Sequence, residues 1–267
     1  MALASLSDLL TKMASPSQVK QWLRFISMPG GTGWGSLWST GTGLPLGATP
    51  GAAAVCDRAT VGALGQENGG GELRAWISAH AQGAAVGTLM VYDRLVHMGG
   101  LSGTVTTPQA VSTSALTRYT SGVGVMAVAE IYTTIGTTLT TITMDYTDQD
   151  GNAGITSQPV GIGSTNIREA ARVVPMSLAL GDTGVRAVNT VTLLASTGTA
   201  GNFGVTLIKP LFIIPLSAPQ GFPMKAHPIT AMGMNLPEIL DDACLGLMLM
   251  AGGTSTTLAT HLSFLET

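Results

Sequence analysis

The sequence predicts an all-β protein, a jelly-roll-like β-sandwich with a short N-terminal helical segment and a Gly-rich arm. Three observations predict it. Ten short segments of β-type residues are separated by glycine-containing turn signals. Between 104 and 143, 13 of 40 residues are threonine, a β-branched side chain that suits a half-exposed pleated face. Only 10% of residues are charged, against roughly 25% in an ordinary soluble protein, although 267 residues are enough for a large core.

Taken in order, residues 1–71 read as N-terminal helices followed by a Gly/Pro-rich arm. Leu6, Leu9, Leu10 and Met13 recur at helical spacing, as do Val19, Trp22, Leu23 and Ile26. Ser15-Pro16-Ser17-Gln18 between them has the pattern of a capping box with proline in the first turn. Two helices are therefore expected, at about 6–14 and 16–27. Each has one apolar stripe, to be buried on its own β domain or on a neighbouring subunit. Residues 28–71 hold Pro29-Gly30-Gly31, Pro50-Gly51 and Gly69-Gly70-Gly71. A long irregular segment is uncommon inside a compact domain and is expected to be ordered against something. Trp22, Trp34 and Trp38 are the candidate interface residues, because aromatic side chains dominate contact energetics. The other reading is that Trp34 and Trp38 cover the domain's own core.

Residues 72–267 read as the β-sandwich, with 217–243 as an irregular insertion or loop. The expected strands are 73–79, 86–92, 103–107, 123–132, 138–146, 171–178, 187–195, 203–214, 244–251 and 256–264. Gly99-Gly100, Asp150-Gly151, Gly181-Asp182, Gly198-Thr199, Gly201-Asn202 and Gly252-Gly253 read as turns. Between Leu95 and Met144 only Arg118 and Glu130 are charged. Such strands invite edge-to-edge pairing unless a second layer or a partner covers them.

Few motifs carry chemistry. Asp145–Asn152 has alternating carboxylates of the kind a hard cation takes, but lacks the rest of a calcium loop. Asp150-Gly151 between two strands reads as a hairpin turn. His80, His97, His227 and His261 show no zinc spacing. No GxSxG elbow or phosphate-cradling glycine loop is present, so no enzyme and no cofactor are expected. Cys56 and Cys244 read as two buried small residues or as a disulfide. Arg94 and Arg186, rare charges in this chain, read as structural ties to a carboxylate or to backbone carbonyls. The net charge of −3 and the absence of a basic patch leave no footprint for nucleic acid. Mean hydropathy is +0.37, yet the apolar runs 207–216 and 244–251 are too short to span a membrane as helices. High hydropathy with little charge then points to a surface covered by other protein.

Three stretches resemble tailed-phage virion structural proteins. They are Leu89–His97 followed by Gly99–Gly103, then Tyr146–Gly154, and Gly181–Arg186 leading to Thr199–Val205. The resemblance spans about half the chain and implies a virion component assembled in the host cytoplasm. A capsid decoration or minor capsid protein is implied first, bound to the capsid or neighbouring virion proteins and to copies of itself, as a trimer. The major capsid protein and a neck or tail-fibre component that binds host glycan are the alternatives.

Overall fold

The computed structural model describes residues 5–14, 19–28, 33–39, 46–64, 74–83, 87–216, 224–226, 238–251 and 256–266. Among the described residues the protein is all-β apart from α1 (Leu6–Ala14), and every strand pairing is antiparallel. Ser5 accepts from the Asp8 amide at 3.1 Å and caps α1, as a serine at a helix start should. No helix among the described residues is long and apolar enough to cross a membrane.

Six strands close into a barrel. In ring order they are β5 (Gly87–Leu101), β13 (Asn202–Leu216), β7 (Met126–Thr133), β11 (Arg172–Pro175), β2 (Gly33–Ser36) and β16 (Leu245–Ala251), which returns to β5. Closure removes free edges from this sheet. The two-residue strand β3 (Ala54–Val55) lies beside β5 where β16 has ended. Outside the barrel, a second sheet runs β10 (Val160–Ile162), β8 (Thr140–Asp148), β12 (Val185–Leu193), β6 (Gln109–Ala110). The strand β9 (Ile155–Thr156) also pairs with β8.

This second sheet packs on the barrel wall and makes the expected sandwich, with one of its layers rolled up. Ala127, Ala129 and Ile131 of β7 and Val205 and Leu207 of β13 meet Ile142, Met144 and Tyr146 of β8 and Val188, Val191 and Leu193 of β12. Burying one such aliphatic side chain stabilises by about 1.5–3 kcal/mol. Along β8 every second residue from Thr140 to Asp148 is buried, and Thr141, Thr143 and Thr147 lie on the partly exposed face. That is the face the threonine content predicts. On β12 the buried residues Val185, Val188 and Val191 are three apart, because two bulges reset the pleat.

A third sheet has the order β1 (Val19–Met28), β17 (Thr256–Glu266), β4 (Arg74–Gly83), β14 (Met224–Ala226), with β15 (Glu238–Ile239) also on β4. Its order repeats that of four barrel strands, β2–β16–β5–β13. Met28 faces Thr256 and Gly33 faces Ala251, so the first pair keeps one register across both sheets. The barrel wall is thus prolonged by this third sheet of the same strand order.

Three expectations are corrected here. Residues 19–28 form a strand instead of a helix. Val19, Trp22, Phe25 and Ile26 are also good strand formers, and a ten-residue ladder with β17 overrides a short helical periodicity. Residues 15–18, with the expected capping box, lie outside the described residues. Gly99-Gly100 lies inside β5: a Cβ at Gly99 would come within 2.2 Å of the Pro50 carbonyl oxygen. The expected strand 103–107 is a turn, pinned where Gln109 accepts from the Ser102 amide at 2.8 Å and donates to the Ser102 carbonyl at 3.0 Å. The Gly-rich arm, for its part, contributes β2 to the barrel.

Candidate functional site

Consecutive residues of a strand point to opposite sides of the sheet, and β5 uses this at Asp93-Arg94. Arg94 is 1% exposed and joins the residues that line the barrel interior. Its Nη2 donates to Glu130 Oε2 at 2.7 Å and to the Tyr132 hydroxyl at 3.1 Å, and its Nε donates to His97 Nδ1 at 3.0 Å. The Tyr132 hydroxyl and Thr206 Oγ1 donate to the same Glu130 oxygen at 3.0 and 2.8 Å. Trp38 lies against the guanidinium, its ring centroid 4.2 Å from Arg94 Cζ, and meets the His97 ring edge-on at 5.7 Å.

Burial alone would push the Glu130 carboxyl up. The Arg94 charge and the hydrogen bonds outweigh it and hold the carboxyl below its ordinary range. The Tyr92 hydroxyl, in the same interior, is pushed up to about 12, chiefly by burial.

Asp93, on the other side, is fully buried and takes the fork of Arg118: Nε to Oδ2 at 2.9 Å and Nη2 to Oδ1 at 2.8 Å. Oδ1 also accepts the Cys244 amide at 2.9 Å, while Arg118 Nη2 reaches the Cys56 carbonyl at 2.8 Å. Here burial prevails over the Arg118 charge, and the Asp93 carboxyl is raised. One buried pair therefore holds its carboxyl down and the other does not. Glu130 has additional hydroxyl donors on the same oxygen, which fits that difference.

Two of these anchors were legible in sequence. Arg94 and Arg186 were each expected to tie to a carboxylate or to backbone carbonyls: Arg94 takes the Glu130 carboxylate, and Arg186 Nε and Nη2 both donate to the Gln149 carbonyl, at 3.0 and 2.6 Å. Asp93, Arg118, Glu130, Tyr132 and Thr206 were not assigned. The available signal was the isolation of Arg118 and Glu130 in an otherwise uncharged stretch, and of Glu130 within the apolar run of β7. A lone charge among strand residues must be paired when buried.

Asp148 is occupied by its own turn. Oδ1 accepts the amides of Asp150 and Asn152 at 2.8 Å each, and Oδ2 accepts Asn152 Nδ2 at 2.8 Å. Gly151 has φ of 90°, as a turn of this kind requires. Among the described residues no group of three His, Cys, Asp or Glu side chains gathers to hold a metal. A surface depression lined by Gln158, Ser177, Leu180 and Asp182 has one carboxylate, and the Tyr146 hydroxyl donates to it.

The tryptophans divide. Trp38 is 2% exposed, and its Nε1 donates to the Ala48 carbonyl at 3.2 Å, so it covers the chain's own core. Gly47 lies so close that a Cβ there would come within 2.1 Å of the Trp38 ring, which explains one glycine of the arm. Trp34, half-buried in β2, packs against a core cluster that contains Met90 and Tyr92. Trp22 lies in β1 opposite Leu262, and its side chain is outside the described residues.

No family model matches the chain, and no curated protein matches it. Among solved structures it is similar to that of the infectious bursal disease virus Gx strain, at 10% identity and a TM-score of 0.21, over 93% of this chain and 80% of that one. It is also similar to the VP2 subviral particle of infectious bursal disease virus, at 10% identity and a TM-score of 0.19, over 93% and 81%. Particles with T=1 symmetry derived from that virus give 10% identity and a TM-score of 0.19, over 93% and 78%. These neighbours come from viral particles, and similarity this low supports no step of the argument that follows.

Proposed function

We propose that the chain is a structural component of a virion, working by association with copies of itself and with neighbouring shell protein, and that it is not an enzyme. The observation that carries this is the prolonged barrel wall. Four barrel strands recur in the same order as a further sheet, with the ten-residue β1 at its edge. A sheet edge offers a row of amides and carbonyls to another chain. Leu139, Leu180, Leu194 and Ile213 add apolar side chains that are 64%, 101%, 79% and 55% exposed. With 10% charged residues, such a surface fits a neighbour better than water. The paired and buried state of Arg94, Glu130, Asp93 and Arg118 supports a structural use of the charges the fold does contain.

The finer reading is a decoration or minor capsid protein of a tailed phage, and it rests on the three resembling stretches. Many small contacts multiplied by copy number would then clamp the lattice. Light scattering of the purified chain, with and without empty expanded capsids, tests both levels. A discrete oligomer that adds to shells in fixed stoichiometry, and that Leu180→Asp with Leu194→Asp weakens, is the expected result. A chain that stays monomeric at all concentrations and adds to no shell overturns the structural reading. A discrete oligomer that ignores shells overturns only the decoration reading.

A further inference from the structure

Cys56 and Cys244 are far apart in sequence, yet they share one core cluster with Trp38 and Ala63, and both are fully buried. Their backbones are held at neighbouring points of β5. The Cys56 amide donates to the Leu95 carbonyl at 2.9 Å, and the Arg94 amide donates to the Cys244 carbonyl at 2.8 Å. The Asp93–Arg118 pair joins the same two residues from a second direction. Arg118 donates to the Cys56 carbonyl at 2.8 Å, and Asp93 accepts the Cys244 amide at 2.9 Å. Four hydrogen bonds to their backbones therefore hold the two cysteines in one buried cluster, and both are free.

We propose that Cys56 and Cys244 are an oxidation-sensitive pair that a peroxide-class oxidant converts to a disulfide, locking the segment after β3 to the start of β16. The neighbourhood favours one direction of attack. The neighbouring Cys244 thiol, with His97 and Arg94 acting in the same sense, holds the Cys56 thiol below its ordinary range against burial. Cys244 is correspondingly raised. Cys56 is then the nucleophile, because the thiolate is the reactive form. Its sulfur attacks one oxygen of hydrogen peroxide, the O–O bond breaks, and hydroxide leaves to give the sulfenic acid. The Cys244 sulfur attacks the Cys56 sulfur, the S–O bond breaks, and the oxygen leaves as water with the Cys244 proton. In total two thiols and one peroxide give one disulfide and two waters. Two electrons pass from sulfur to oxygen. Peroxide is little larger than water and suits a buried pair that opens only locally.

The folded full chain is treated with hydrogen peroxide, then unfolded with iodoacetamide present, and its peptides are mapped without reductant. The expected result is loss of the mass of two hydrogens, a linked peptide joining Cys56 to Cys244, reversal by dithiothreitol, and a higher melting temperature for the oxidised form. Oxidation of Met250, which is 37% exposed, serves as the dosimeter. If Met250 is oxidised while both cysteines are recovered alkylated, or as sulfinic or sulfonic acids, the proposal fails. It also fails if the linked peptide appears equally well when the chain is oxidised in guanidinium, because the fold would then play no part. Cys56→Ser should leave Cys244 alkylated after the same dose. Overoxidised Cys244 in that variant would reverse the assigned nucleophile and overturn that part of the mechanism.

Discussion

The two faces of β7 enclose different interiors. Ala127, Ala129 and Ile131 look outward to the second sheet and meet an apolar interlayer. Glu130 and Tyr132, which alternate with them along the strand, belong to a hydrogen-bonded cluster that also takes in Arg94, Thr206 and His97. One strand thus separates two ways of holding a fold. The interlayer is non-directional, and side chains of similar volume can replace one another there. The interior network is directional, since each donor has one place to point, and a buried charge left alone is costly. The comparison teaches that stability and specificity are divided between the two faces of one strand.

The sharpest break of the comparison is Glu130→Ala. It leaves the Arg94 charge buried without its carboxylate and should cost about 3–5 kcal/mol in chemical denaturation. Adding Arg94→Met to that variant should recover a large part of the loss, because both charges are then gone. A double variant no more stable than Glu130→Ala would show that the network acts through packing instead. On the other face, Leu207→Ala should cost about 2–5 kcal/mol. Ile142→Val should cost about 0.5–1.5 kcal/mol, with the cooperativity of unfolding unchanged.

Acid separates the two buried pairs by sign. Glu130 has a folded value below its ordinary 4.5, so its contribution is complete above that pH and is lost as pH falls through the folded value. Asp93 has a raised folded value, so protonation on acidification favours the folded state and opposes that loss. Glu130→Gln should therefore flatten the acid limb of the stability curve, and Asp93→Asn should steepen it. Denaturation midpoints taken from neutral pH downward check both. An effect as small as that of Ile142→Val is expected at Arg186→Lys, which replaces a fork on the Gln149 carbonyl by a single contact. About 1 kcal/mol is expected, read as faster amide exchange around Asp150–Asn152.

Much of the fold was legible in the sequence because strand pattern and turn chemistry agree there. The segment 138–146 became β8 almost unchanged, since alternation of threonine with Ile142, Met144 and Tyr146 has only one solution in a half-covered sheet. β1 was misread because Val19, Trp22 and Ile26 have helical spacing and are also good strand formers, and the partner that decides between the two lies far along the chain. Of the site, Arg94 and Arg186 were legible as scarce charges. Their partners were not, because Glu130 and the Gln149 carbonyl meet them only through strand pairing and turn geometry. Closure of the barrel by β5 on β13 is likewise a long-range event that local pattern does not encode.

The prolonged barrel wall has a mechanical side. Strand order passes unchanged from the barrel to the outer sheet, and the register of β1 and β17 matches that of β2 and β16. A pull along the axis of the outer strands loads the rungs of these ladders together, in shear, instead of opening them one by one. Under such a pull the wall behaves as a strap whose load ends in a closed ring.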